Sequence, residues 1–211
     1  MVNHNGIAAI NVGDGGFIDE VSVRPPSSAI STFIFEPSIG LTSKSQDNGS
    51  GMSFEFDLMG RLRYVKDGNG NNLYQISYPS KLSSTYPLIT WGNGSGQFPK
   101  NYAQVLAHLA SWDFIVIDNF NGSTYNGQSI LESVKYMIFE NYNSKSIFYN
   151  KIDLNNIAAV GHSQGASGVM NAATNFTDGV ILKTIVTIEL PIILSVNASK
   201  LTVPTKLCSI I

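Results

Sequence analysis

The sequence predicts an α/β protein whose sheet is mostly parallel and is covered by helices on both faces, giving three layers. Two observations carry this prediction. From Pro87 onward, short apolar runs alternate with stretches whose apolar residues recur at helical spacing. Runs that are apolar throughout are typical of parallel strands buried on both faces. The chain has 211 residues, which is enough for one domain with a substantial core.

The first part of the chain gives weaker signals. Residues 1–60 are interrupted by glycine, proline and polar runs, so we predict an irregular extension with short strands. Residues 61–65 and 73–78 then flank a turn of glycines and asparagines, residue types that tolerate the positive φ of tight hairpins. We therefore predict an antiparallel N-terminal hairpin and divide the chain into an extension, 1–60, and an α/β core, 61–211.

The core is predicted to alternate strands with helices. A first helix spans residues 102–112, where apolar side chains recur every three or four positions, and a second lies around residues 130–138. A third helix begins directly at Ser163 and is rich in small residues. The predicted strands are residues 87–91, 114–118, 157–161, 184–189 and 203–211.

The pentapeptide Gly161-His162-Ser163-Gln164-Gly165 lies between a predicted strand and a predicted helix. A serine in a G-x-S-x-G turn of this kind stands clear of the sheet and is placed to act as a nucleophile. The flanking glycines relieve crowding, and the helix that follows directs its N–H groups at a forming oxyanion. This predicts Ser163 as a catalytic nucleophile. The alternative is an ordinary serine in a glycine-rich turn.

A second loop, residues 92–96, follows an earlier strand and has the sequence Gly-Asn-Gly-Ser-Gly. A tetrahedral intermediate needs two N–H donors, normally one after the nucleophile and one from such a loop. We predict the N–H groups of Gln164 and Asn93 for this oxyanion hole, with Gly94 as the alternative to Asn93. A turn without function is the other interpretation, whereas the loop lacks the G-K-[ST] ending of a phosphate-binding loop.

Composition argues against several other functions. The 13 basic and 15 acidic residues give no positive excess for nucleic acid or an anionic membrane. A single cysteine, Cys208, and three scattered histidines provide no metal site, and we predict neither a metal nor another cofactor. There is no apolar segment of about 18 residues and no signal peptide. Oligomeric state and localisation stay open.

Three segments, residues 86–96, 108–117 and 160–166, resemble the α/β-hydrolase superfamily in order and spacing. Within it they are most similar to the branch of cutinase-like polyester hydrolases, chlorophyllase-like lipases and dienelactone-hydrolase relatives. The resemblance covers residues 73–211. It implies hydrolysis of a small-molecule or polymeric ester through an acyl-serine at Ser163, and secreted relatives imply an extracellular location. Hydrolysis and acyl transfer to another acceptor would use the same residues.

Members of this superfamily carry an acid and a histidine after the nucleophile, in the order Ser, Asp or Glu, His. No histidine follows Ser163 in this sequence, and residues 203–211 resemble the start of the strand that carries the acid. We therefore expect a C-terminally truncated hydrolase whose sheet is incomplete at that edge. As a chain of 211 residues it should be weak or inactive.

Other side chains are poor replacements for the missing base. His4 lies in the unplaced N-terminal stretch, His108 lies on the first helix, and His162 is expected to pack beneath the pentapeptide turn. Glu189 ends a predicted strand, where a carboxylate orients a base only if a base is present. The second interpretation of the chain is therefore a non-catalytic binding or interaction module on the same fold.

Overall fold

The computed structural model describes residues 31–36, 40–46, 51–174, 182–191 and 200–208. All of these residues belong to the compact unit formed by residues 31–211. The predictions for residues 1–30, including His4, and for residues 209–211 lie outside the described residues. The division of the chain at residue 60 stays a prediction.

Ten strands and three helices make up the regular structure of the described residues. The helices are α1 (Pro99–Ser111), α2 (Gln128–Tyr142) and α3 (Gln164–Thr174). The strands are β1 (Ser31–Glu36), β2 (Gly40–Gln46), β3 (Gly51–Phe56), β4 (Leu62–Asp67), β5 (Asn72–Ser77), β6 (Tyr86–Gly92), β7 (Ile115–Asn119), β8 (Ile152–His162), β9 (Thr184–Ile188) and β10 (Thr205–Cys208).

All ten strands join in one sheet, in the order β1-β2-β3-β4-β5-β7-β6-β8-β9-β10. Strands β6 to β10 pair in parallel, as predicted, but β1 to β5 pair antiparallel and join the parallel part through an antiparallel β5–β7 pair. The prediction of a mostly parallel sheet is therefore wrong, and the sheet is mixed. Short links such as those between β3, β4 and β5 are too short for the crossover that a parallel pair requires.

The predicted N-terminal hairpin is present as β4 and β5, with Val65 opposite Tyr74. The Asp67 carboxylate holds the turn, because it accepts hydrogen bonds from the N–H groups of Asn69 and Asn71 at 2.9 and 2.8 Å. Gly70 has a φ of 83°, which a residue without a side chain adopts at little cost. The turn composition thus explains the position of the hairpin.

Helices cover both faces of the sheet, as predicted. Leu106 of α1 packs on one face against Trp91 and Val116, while α2 and α3 pack on the other face over a larger cluster. Successive residues of β7 divide between the two clusters, with Val116 on the α1 side and Ile115 and Ile117 on the other. This double burial is the physical reason for the apolar runs in the sequence.

Strand β8 begins five residues before its predicted start at residue 157. Its pairing with β6 jumps from Pro87–Asp153 to Leu88–Ile157, so residues 154–156 stand outside the continuous ladder. Because this segment contains Asn155 and Asn156, it does not form an apolar run, and the sequence pattern did not indicate a strand here. Beyond the jump, β6 and β8 pair without interruption up to Gly92 and Gly161, and their carboxyl ends lie side by side.

Candidate active site

Ser163 is the single residue between the end of β8 and the start of α3. Its φ is 54°, in the left-handed region that residues with side chains rarely adopt. Its N–H donates to the carbonyl of Ile188 at the end of β9, and its carbonyl accepts the Ala166 N–H, both at 2.9 Å. The strained turn is therefore held from the neighbouring strand and from the helix.

Close backbone packing explains both glycines of the pentapeptide. A Cβ on Gly161 would collide with the Gly165 carbonyl oxygen, and a Cβ on Gly165 would collide with the Gly92 carbonyl oxygen. The turn around Ser163 consequently packs directly on the loop of residues 92–96, which we call the β6 loop. The two loops that the sequence singled out are thus brought together.

Asn93 of the β6 loop is fully buried. Its side-chain amide donates to the Asn119 carbonyl at 2.6 Å, and its backbone carbonyl accepts the Thr124 hydroxyl at 2.7 Å. The N–H of Gly94, the alternative donor, already donates to the Tyr102 hydroxyl at 3.0 Å. The Gly94 N–H thus already has a partner, and the oxyanion role of Asn93 stays a prediction.

Thr124 connects the two residues predicted for the oxyanion hole. Besides its hydroxyl bond to the Asn93 carbonyl, its N–H donates to the side-chain oxygen of Gln164 at 3.1 Å. Thr124 lies in the segment between β7 and α2, where nothing in the local sequence marks it out. Its role depends on the sheet order, which places the end of β7 beside β6.

The two histidines among the described residues, His108 and His162, both contact other side chains. His162 Nδ1 is 3.0 Å from the Tyr102 hydroxyl, so this nitrogen already has a partner. His108 lies near the end of α1, with its ring edge-on to Trp112. Neither residue is arranged as a base for Ser163.

Glu189 directly follows Ile188, whose carbonyl accepts the Ser163 N–H. It has a φ of 51°, again in the left-handed region, and its N–H donates to the Cys208 carbonyl at 2.9 Å. The predicted strand-end position is thus correct to within one residue, since β9 ends at Ile188. Two residues with left-handed backbone, Ser163 and Glu189, therefore lie in and beside the same turn.

Asp118 is a buried acid beneath these loops, at the end of β7. Among the described residues, neither carboxylate oxygen has a hydrogen-bond partner of ordinary geometry. Burial raises the pKa of this carboxyl well above its usual range, and the nearby Asn93 amide and Asn119 N–H offset that rise only in part. Burial therefore favours the protonated form of Asp118.

A groove of about 600 Å³ lies between the β4–β5 hairpin and α1. Its lining includes Arg63, Gln75 and Ala107, and none of Ser163, Asn93 or Gln164 borders it. The groove is therefore separate from the candidate site.

Two further features concern the described part of the chain only. No cluster of three or more His, Cys, Asp or Glu side chains there is arranged to hold a metal ion. None of its helices combines the length and the apolar character needed to cross a membrane.

A mixed sheet with helices on both faces, and a serine in a tight turn between a parallel strand and a helix, define an α/β-hydrolase. The chain belongs to the PETase family, described as PET hydrolase-like, whose model matches residues 59–210. The expected relationship to cutinase-like polyester hydrolases is confirmed. The chain is thus a member of a lineage of ester hydrolases. No curated protein matches it.

Proposed function

We propose that this protein is a serine carboxylic-ester hydrolase in which Ser163 is the nucleophile. The observation that carries the proposal is the left-handed backbone of Ser163 between β8 and α3, with φ of 54°. Strain of this kind persists only where the surroundings enforce it, and it is concentrated at functional sites. Family membership supplies the ester as the substrate class.

The reaction begins when Ser163 Oγ attacks the ester carbonyl carbon and loses its proton. The resulting oxyanion accepts hydrogen bonds from the N–H groups of Asn93 and Gln164, and the carbon–oxygen bond to the alcohol then breaks. The alcohol leaves with a proton. Water attacks the acyl-serine, forms the carboxylic acid and returns the proton to Ser163.

The contacts around the β6 loop support this choice of oxyanion donors. Gly94 is engaged by Tyr102, and Thr124 binds both the Asn93 carbonyl and the Gln164 side chain. Donors that are fixed before reaction are more effective than mobile ones, and loss of one costs about 100-fold to 1000-fold in rate. Gln164 also starts α3, so the positive end of the helix dipole faces the same point.

We expect slow turnover from the 211 residues alone. The sequence holds three histidines and none follows Ser163. In serine hydrolases of this type, loss of the base lowers turnover by about 10⁶-fold. The residual rate is then roughly 10³-fold to 10⁴-fold above that of the uncatalysed reaction in water. The remaining rate then comes from the oxyanion donors and from substrate binding. The substrates of the protein are small-molecule or polymeric esters.

A fluorophosphonate activity probe tests the proposal directly. The purified chain is incubated with the probe and the adduct is located by peptide mass spectrometry. We expect one adduct, formed slowly on Ser163 because no described base is arranged beside it, and none in Ser163→Ala. The matched control is Ser95→Ala, which removes an exposed serine of the β6 loop and should label normally.

The second candidate function is a non-catalytic binding or interaction module on the same fold. It is favoured by the engagement of His162 Nδ1 with Tyr102, which leaves no arranged base among the described residues. The same labelling experiment separates the two functions. A folded chain in which Ser163 stays unmodified after prolonged incubation supports the binding module and contradicts the hydrolase.

A further inference from the structure

Tyr102 lies on α1 and its side chain reaches the two loops of the candidate site. Its ring centroid is 5.0 Å from that of Trp91, which is buried at the end of β6. It is 5.8 Å from that of His162, the last residue of β8. The tyrosine ring is thus packed between the β6 loop and the turn that carries Ser163.

The Tyr102 hydroxyl has two partners, the Gly94 N–H and His162 Nδ1. The Gly94 N–H can only donate, so the hydroxyl oxygen accepts at 3.0 Å. The hydroxyl keeps its own proton to donate, and it donates this proton to His162 Nδ1, also at 3.0 Å, in the tautomer protonated on Nε2. Burial raises the pKa of Tyr102, so the hydroxyl keeps the proton that it donates.

These contacts hold one peptide plane from both sides. The peptide between Asn93 and Gly94 carries the Asn93 carbonyl and the Gly94 N–H. Thr124 donates to the carbonyl at 2.7 Å, and Tyr102 accepts from the N–H at 3.0 Å. With both polar groups engaged, this plane cannot rotate freely, which also holds the preceding Asn93 N–H, the loop donor of the proposed function, in place.

We infer that Tyr102 is a positioning residue of the candidate active site, whose hydroxyl joins the β6 loop to the turn of Ser163. The inference rests on the proposed function. Tyr102 does not touch the ester in this role. It acts by holding the Asn93 donor at a fixed distance from Ser163, and a misplacement of about 1 Å in such a site costs on the order of 100-fold in rate.

The same arrangement assigns a role to His162. We assign His162 the tautomer with its proton on Nε2, in which Nδ1 accepts from the Tyr102 hydroxyl. The residue before the nucleophile is therefore a hydrogen-bond acceptor that anchors Tyr102. Asparagine offers an acceptor oxygen at nearly the position of Nδ1, whereas leucine offers none.

The test compares rates of fluorophosphonate labelling, separated into the binding constant KI and the chemical rate constant kinact. We expect Tyr102→Phe to lower kinact by about 10-fold to 100-fold with KI unchanged, because phenylalanine keeps the packing and loses both bonds. Tyr74→Phe is the matched control. It removes a half-buried hydroxyl from a ring stacked on Tyr136, away from the site, and should leave both constants unchanged.

Two further measurements distinguish positioning from a general loss of stability. His162→Leu should lower kinact as Tyr102→Phe does, the double variant should be no slower than either, and His162→Asn should recover most of the rate. The Gly94 amide proton should exchange with solvent faster in Tyr102→Phe than in the unaltered chain.

The outcomes separate this inference from the proposed function. If the unaltered chain is not labelled, the hydrolase proposal fails and this inference fails with it. If the unaltered chain is labelled and Tyr102→Phe reacts at the same kinact, the hydrolase proposal stands and the positioning role of Tyr102 is overturned.

Discussion

Single residues at the ends of β7, β8 and β9 carry the features that set this molecule apart from an ordinary α/β domain. Ser163 and Glu189 adopt left-handed backbone conformations beside one another, and Asp118 is buried without an ordinary hydrogen-bond partner among the described residues. The sequence predicted the first of these, because G-x-S-x-G is a local pattern. It was silent on Asp118, since an acid at the end of an apolar run looks like a solvent-exposed strand end.

Asp118→Asn should be more stable than the unaltered chain, by a margin that grows as the pH rises from about 4 to 7. Burial holds the pKa of Asp118 above its unfolded value, so the folded chain keeps a proton that the unfolded chain loses. The stability contributed by this group is therefore present below about pH 3.9 and is lost as the pH rises towards the folded pKa. Asparagine has no such proton to lose.

Thermal unfolding of both proteins across this pH range measures the effect. Each unit by which the folded pKa is raised corresponds to about 1.4 kcal/mol in the free energy of unfolding. A change of about 1 kcal/mol in that free energy shifts Tm by about 2–4 °C in a domain of this size. Asp67→Asn is the control, because the hydrogen bonds of Asn71 lower the pKa of Asp67 and its replacement gives no gain towards neutral pH. A Tm of Asp118→Asn below that of the unaltered chain at neutral pH contradicts the prediction.

At the scale of elements, the candidate site depends on how closely the β6 loop and the start of α3 approach. Glycines at 92, 161 and 165 allow backbone to lie on backbone, and Thr124 and Tyr102 then add side-chain hydrogen bonds from β7–α2 and α1. Thr124 lies 31 and 40 positions from the residues it binds, and Tyr102 lies 60 positions from His162. No local pattern reports such contacts, which is why sequence reasoning missed them.

Gly165→Ala should weaken both the fold and the labelling of Ser163. The new methyl group would collide with the Gly92 carbonyl oxygen, which is rigid backbone, and overpacking of this kind typically costs about 1–3 kcal/mol. Separation of the two loops should also move the Asn93 donor. Urea unfolding measures the first effect and kinact with a fluorophosphonate measures the second.

The control for this substitution is Gly60→Ala. Gly60 has a φ of 72°, which disfavours a side chain, but a Cβ there would meet nothing within 4 Å. It should lose about 1 kcal/mol from backbone strain and keep its labelling rate. Equal labelling of Gly165→Ala and the unaltered chain would refute the close packing of the two loops.

At the scale of the whole molecule, the two halves of the sheet differ in how well the sequence reveals them. The central parallel strands are buried on both faces, and β7 is buried at all five positions, so its apolar run is visible directly. Strand β2 has the sequence GLTSKSQ with a single large apolar residue, Leu41. Its place in the sheet comes from backbone pairing with β1 and β3, and side-chain periodicity does not report that.

The charge of the whole chain predicts its solubility. Charged residues make up only 13% of the sequence, the formal net charge is −2 and the isoelectric point is about 5.9. Proteins associate most readily where net charge approaches zero. Light scattering at fixed concentration should therefore be highest near pH 5.9 and fall on either side. A minimum of scattering at that pH would contradict this expectation.

The sequence contains two tryptophans, and the fold separates them by environment. Trp91 is 2% exposed and packs on Tyr102 behind the β6 loop, whereas Trp112 is 69% exposed beyond the end of α1. A soluble quencher such as acrylamide therefore suppresses the emission of Trp112 first. The remaining fluorescence comes from an indole in contact with the site, so the protein carries its own optical reporter of events at Ser163.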